Sequence, residues 1–136
     1  MLDEVIQRLA NSITDITYDE TGINGNIFQD NMPAEPDIAV MVQGTGGFPR
    51  DMWLTDYFEP TMQVLVRGTR DPRTARSLIE KIVDEIGVLG EQKWIASGEW
   101  YVIKCQAIQP QGIYIGPDDN NRHRFSVNFE MEVKKL

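Results

Sequence analysis

Cysteine and histidine are nearly missing from this 136-residue chain: Cys105 and His123 are the only ones. A single cysteine excludes an internal disulfide framework and suits a reducing, cytoplasmic setting. One histidine with no cysteine pair leaves no zinc-ligand set. It also leaves His123 without a nominated nucleophile or orienting carboxylate, so catalysis of the triad kind has no foothold. Nor is there an apolar run of the roughly 18 to 20 residues that a membrane helix needs. The start, MLDEVIQRLA, has two early acids and no basic region, unlike a secretory signal. Basic residues are outnumbered, 13 against 21, for a net charge of −8. That opposes affinity for a nucleic-acid backbone, which requires neutralisation by Lys and Arg.

What remains is ordinary for a globular protein, with 41% hydrophobic and 25% charged residues. The length fits a single domain over residues 1–136. Its centre is the stretch from Thr61 to Gly87. Met62, Val64 and Val66 alternate with Gln63, Leu65 and Arg67, the period of a half-buried strand. After Gly68, Asp71 suits an N-cap and Pro72 a first helical turn. Ala75, Leu78, Ile79, Ile82, Val83 and Ile86 then repeat as one face of a helix, which Gly87 is placed to end in a left-handed conformation.

Around this unit, Leu2, Val5, Ile6, Leu9, Ala10 and Ile13 predict a helix over about Asp3–Ile13. Residues 37–43 (DIAVMVQ) read as a short buried strand. Tyr101, Ile103, Cys105 and Ala107 alternate with Val102, Lys104 and Gln106 as another. The last strand carries Phe125, Val127, Phe129, Met131 and Val133 on one side and Ser126, Asn128, Glu130 and Glu132 on the other. Residues 21–36, with Ile27 and Phe28 as anchors and room for a short strand, residues 88–99 and residues 109–122 read as long connections. The fold class is α+β: a four- to five-stranded mixed or mainly antiparallel sheet, two helices on one face, and long loops.

Loops of a dozen residues usually bind something or are disordered. Those here hold Phe28, Phe48, Trp53, Tyr57, Phe58, Trp94 and Tyr114, a composition that disfavours disorder and favours interface anchors. Phe48, Trp53, Tyr57 and Phe58 are the expected subunit contacts. Gly44–Gly47 (GTGG) lacks the Gly-Lys-Ser/Thr of a phosphate loop and reads as a turn. Asp118, Asp119, Asn120 and Asn121 lack the ligand spacing of a calcium loop. No metal and no cofactor is expected. Cys105, on the apolar side of its strand, reads as a buried, inert thiol. Arg67, Arg70, Arg73 and Arg76 cluster at the start of the central helix, to pair with acids such as Glu80 and Asp84 or with a neighbouring subunit. Arg67, Arg70, Arg122 and Arg124 are the expected inter-subunit ion-pair residues.

Three ordered segments carry a resemblance: PDIAVMVQGTGGFPRD, then TMQVLVRG followed by DPRTARSL, then IGPDDNNRHRFSVNFEMEV. Spanning about residues 36 to 133, they resemble the phage minor capsid and tail terminator family, head–tail neck proteins of long-tailed phages. The resemblance implies a non-enzymatic α+β virion protein, assembled in the host cytoplasm, that forms a ring, usually a hexamer, on the end of the tail tube, with Phe48, Trp53, Tyr57 and Phe58 as ring or tube contacts. Its implied partners are copies of itself, the tail tube protein and a head-side connector or head-closure protein. DNA would pass through the lumen without specific binding, and no membrane is involved. The alternatives are a head-closure or head–tail adaptor protein, a nucleic-acid-binding module using Arg67–Arg76, and, most remotely, a hydrolase built on His123.

Overall fold

The structure, a computed structural model, describes residues 2–95 and 99–136, and of residues 89–95 the backbone alone. The chain begins with α1 (Leu2–Ser12), β1 (Ile27–Gln29), β2 (Ala39–Gly44), β3 (Tyr57–Phe58) and β4 (Thr61–Arg67). It continues with α2 (Pro72–Ile86), β5 (Val88–Ile95), β6 (Trp100–Ala107), β7 (Ile113–Pro117) and β8 (His123–Lys135).

β8 is the strand on which the sheet is assembled. Its 13 residues are long enough to have two neighbours on each edge. Residues 124–130 pair with β4 and residues 133–134 with β3. On the opposite edge, residues 123–126 pair with β7 and residues 129–135 with β6. The main path runs β1-β2-β4-β8-β6-β5, with β3 and β7 attached to β8. Only β1 and β2 pair in parallel among the described strands. The α+β class and mixed sheet therefore stand, but the sheet has eight strands rather than four or five.

The additional strands explain that difference. β5 and β7 lie in segments read as connections, and β3 lies in the aromatic loop. β5 occupies residues 88–95 of the expected 88–99 connection, of which 96–98 lie outside the described residues. β7 has no buried position at all, so no alternation marks it in the sequence. Its ladder comes from β8.

Alternation along β6 also differs from expectation. Val102 and Cys105 are the buried residues, three apart. The pairing with β8 shifts between Val102 and Lys104. A bulge adds one residue to a strand and so reverses which face the following side chains take. Val102 therefore joins the core, whereas strict alternation puts it outside.

Both helices lie on one face. α1 packs on β1 and β2, α2 packs on β4, β5, β6 and β8, and the two helices touch. The core between them and the sheet contains Val5, Ile6, Leu9, Val64, Val66, Ile79, Ile82, Val127 and Phe129. Arg8 reaches Glu85 at 3.5 Å and Lys81 reaches Asp15 at 2.6 Å, tying the α1 region to α2. Asp71 caps α2 as expected, accepting from the Arg73 N–H at 3.0 Å. Gly87 does not turn left-handed: its φ is −74° and its N–H donates to Val83 O. Close approach explains the glycine, because a Cβ there would meet Val83 O at 2.3 Å.

Candidate functional site

The helix-free face of the sheet carries Gln43, Gln63, Leu65, Asn128, Glu130 and Glu132, none fully buried. At each end of β8 the surrounding segments give this face a different border. The first border is the connection from β2 to β3. Gly47 has φ +117° and a Cβ there would lie 2.4 Å from Glu59 O, so the chain can pass that backbone only as glycine. The GTGG segment is thus a turn, as its sequence indicates. Asp51 Oδ1 then accepts from Trp53 N at 2.7 Å and Leu54 N at 3.1 Å, while Arg50 Nη2 donates to Thr55 O at 2.7 Å. These bonds within the loop satisfy its backbone locally, so its apolar side chains are free to face outward. Trp53 is 89% and Met52 84% exposed, and Phe48 and Leu54 are more than half exposed.

Tyr57 and Phe58 behave differently. They form β3 beside β8 and are half-buried. The Phe58 ring meets Trp100 edge-on, 5.5 Å between centroids, and Arg50 lies over it at 4.6 Å. Tyr57 OH donates to Glu59 Oε1 at 3.1 Å. Burial first, then the hydrogen bond and charge of Glu59 and the charge of Glu132, push the Tyr57 hydroxyl up to about 12. A cleft of about 210 Å3 opens beside it, lined by Phe48, Glu59, Lys104, Glu130, Met131 and Glu132.

The second border is the basic end of β4 and β8. Arg67 is only 4% exposed; its Nε donates to Asp37 O at 3.0 Å and its Nη2 to Pro36 O at 2.6 Å. Desolvation, reinforced by the neighbouring Arg122, lowers its pKa, and Asp118, Asp37 and Glu35 oppose that. Arg122, 7% exposed, donates to Asp118 Oδ2 at 2.8 Å, Ala34 O at 2.6 Å and Asp37 Oδ1 at 3.3 Å. The two guanidiniums thus fasten residues 34–37 across the end of the sheet. Arg124 is half-buried and donates to Gly116 O and Pro117 O. Arg70 is exposed and has no hydrogen bond or ion pair among the described residues. Arg73 pairs with Asp71 at 3.0 Å, and Arg76 lies over Phe125 at 5.4 Å, rather than either meeting Glu80 or Asp84. Asp118 accepts from the N–H groups of Asn120 and Arg122 as well as from the Arg122 side chain. Its oxygens serve the turn.

Residues 108–115 carry exposed apolar side chains of which the sequence reading named only Tyr114. Ile108, Ile113, Tyr114 and Ile115 are each 43–55% exposed. Tyr114 OH lies 2.7 Å from His123 Nδ1, and its ring lies 5.2 Å from Phe125. The available signal was the composition of IYI itself, three β-formers inside a turn-rich stretch. Cys105 is fully buried and desolvation pushes its thiol up to about 12. Trp94, expected among the interface aromatics, has its side chain outside the described residues.

No helix among the described residues is long and apolar enough to cross a membrane. No curated protein matches the sequence. One solved structure aligns over 100% of this chain and 96% of its own, at 11% identity and a TM-score of 0.42. The model of the bacteriophage tail terminator proteins matches residues 7–135, leaving only the two tips of the chain outside it. A match of that extent takes in α2, all eight strands and nearly all of the core, and it establishes that the chain belongs to the bacteriophage tail terminator proteins.

Proposed function

We propose that this protein ends the growth of a phage tail by closing as a ring, usually a hexamer, on the last ring of the tail tube. The ring then offers a surface to a head-side connector or head-closure protein. One ring face takes the contacts that the next tube subunit would use, and the other presents none equivalent, so polymerisation stops by competition. The observation that supports this reading is the β2–β3 loop, which holds Phe48, Met52, Trp53 and Leu54 outward. Large aromatics exposed on a locally bonded loop are costly to a monomer's solubility and valuable at an interface. Phe48 and Trp53 are accordingly the strongest ring or tube contacts, with Tyr57 and Phe58 supporting them from β3.

Among the arginines, Arg70 is the one placed for an inter-subunit ion pair, with Arg124 next. Arg67 and Arg122 act from within, shaping the 34–37 segment. A nucleic-acid module gains little support from this arrangement, since Arg67 is buried and Arg73 is paired. With a net charge of −8, a lumen that lets DNA slide without adhering fits the proposed position in the neck.

Tail length measured by electron microscopy, in lysates of a phage with this gene interrupted, tests the proposal. Overlong and heterogeneous tails are expected. Tails of normal length lying unattached beside heads would assign the protein to head closure or head–tail joining instead. Normal, intact virions would refute both.

A further inference from the structure

The side chains at the tip of the β2–β3 loop touch little of their own subunit: Met52 is 84%, Trp53 89% and Leu54 58% exposed. The Asp51 cap fixes only the backbone beneath them. The direction in which the tip projects is therefore set at the base of the loop, and the base is gripped from outside it.

Two grips meet there. In the first, Arg50 lies over the Phe58 ring at 4.6 Å and sends Nη2 across the loop to Thr55 O at 2.7 Å. Phe58 in turn meets the Trp100 ring edge-on at 5.5 Å, with the planes 64° apart. Phe58 and Trp100 stand on opposite edges of β8, facing Val133 and Lys135. Alternate residues of a strand share a face, so the two rings close over β8. In the second grip, the Lys135 N–H donates to Asp56 O at 2.8 Å, and the Leu136 N–H to Glu99 O at 2.7 Å, beside Trp100. Lys135 Nζ lies 6.0 Å from the centre of the Trp100 ring. The loop, β6 and the end of β8 are thus tied at one point, and Trp100 belongs to both grips.

We infer that Trp100 is the positioning residue of this loop, holding Met52, Trp53 and Leu54 in the direction in which they dock. It acts through Phe58 and Arg50, with the end of β8 closing the other limb. The inference rests on the reading of the loop as an interface contact given above. A loop held in its docking geometry beforehand loses less freedom on binding than a loose one. Trp100 is half-buried and packs against the margin of the core, not within it. What it supplies is readiness to bind more than stability of the fold.

Limited chymotrypsin digestion, with the products read by mass spectrometry, tests the grip. Cleavage after Trp53 requires the loop to open, whereas cleavage after the buried Phe129 requires the core to open. Losing an edge-on aromatic pair shifts a local opening equilibrium about two- to tenfold. Trp100→Ala should therefore speed the Trp53 cut by about that factor relative to the Phe129 cut. Trp100→Phe, which keeps a ring against Phe58, should return it towards the native rate. Arg50→Ala, at an exposed position, breaks the same chain of contacts without touching the core. It should speed the same cut, and it carries the test where Trp100→Ala does not fold. An equal rise at both sites, or an unchanged Trp53 cut in both alanine variants, would overturn the inference.

Tail length reads the consequence. Phage carrying Trp100→Ala should make overlong tails, and phage carrying Trp100→Phe tails of normal length. Normal tails from a variant whose loop is loosened would also overturn the inference, because docking would not depend on the positioning. Interrupting the whole gene judges the terminator reading separately. If tail length were unchanged there, termination would fall, while the digestion would still report whether Trp100 holds the loop.

Discussion

Phe129→Ala should unfold this protein far more readily than removal of any exposed aromatic. Phe129 is fully buried on β8, opposite Met62 of β4 and Ala107 of β6, and heads the largest buried side chains. Truncating a buried Phe to Ala costs about 3–5 kcal/mol through lost transfer energy and the cavity left behind. Unfolding entropy of roughly 2.1 cal/mol/K per residue gives about 0.29 kcal/mol/K for 136 residues. The expected fall in Tm is therefore about 10–17 °C. Phe129→Leu keeps most of the volume and should cost about 1 kcal/mol, or roughly 4 °C. Trp53→Ala removes a larger side chain, but one that is 89% exposed, and should move Tm by no more than about 2 °C. Thermal unfolding followed by far-UV circular dichroism, at several dilute concentrations to separate out assembly, measures all three. A loss with Trp53→Ala comparable to that with Phe129→Ala would refute the reasoning, because it would mean that the loop packs on its own subunit.

Two further outcomes follow from ionisation. Asp118 is held below its ordinary carboxylate value although burial pushes it up, because the N–H groups of Arg122 and Asn120 and the Arg122 side chain outweigh burial. A carboxyl depressed in the folded state stabilises above its unfolded value and loses that contribution as pH falls through the folded one. Tm should accordingly decline below about pH 4, and Asp118→Asn, which has no such proton to gain, should flatten part of that decline in a pH series of melts. Cys105, pushed up to about 12 by burial, should not react with a thiol reagent at pH 8 in the folded protein and should react fully in denaturant, as colorimetric thiol titration would show. Rapid labelling of the native state would contradict its burial.

The sequence determined by itself whatever depends on neighbours a few residues away. β4 runs Thr61–Arg67 as its alternation requires, Asp71 caps α2, and β8 displays the expected Phe125-to-Val133 face. α1 lies within a residue of its predicted bounds. Each of these is a local periodicity or a local hydrogen bond, written where it acts. The family was legible too, in three ordered segments. β3, β5 and β7 were not, because a strand becomes a strand by pairing, and their partners lie far off in the chain. The bulge in β6 was hidden for the same reason: Val102 enters the core only because β8 sets its register.

The candidate surface divides along the same line. Composition marked the loop aromatics as a class, but tertiary structure separated Trp53, left in solvent, from Phe58, stacked on Trp100. It also turned Arg67 and Arg122 inward, towards carbonyls of Pro36 and Ala34 that are 31 and 88 residues away along the chain. A guanidinium can be buried only where acceptors meet it, and no local pattern announces acceptors at that distance. Short-range chemistry chose the elements; long-range pairing chose which residues they bury and which they leave for a neighbour.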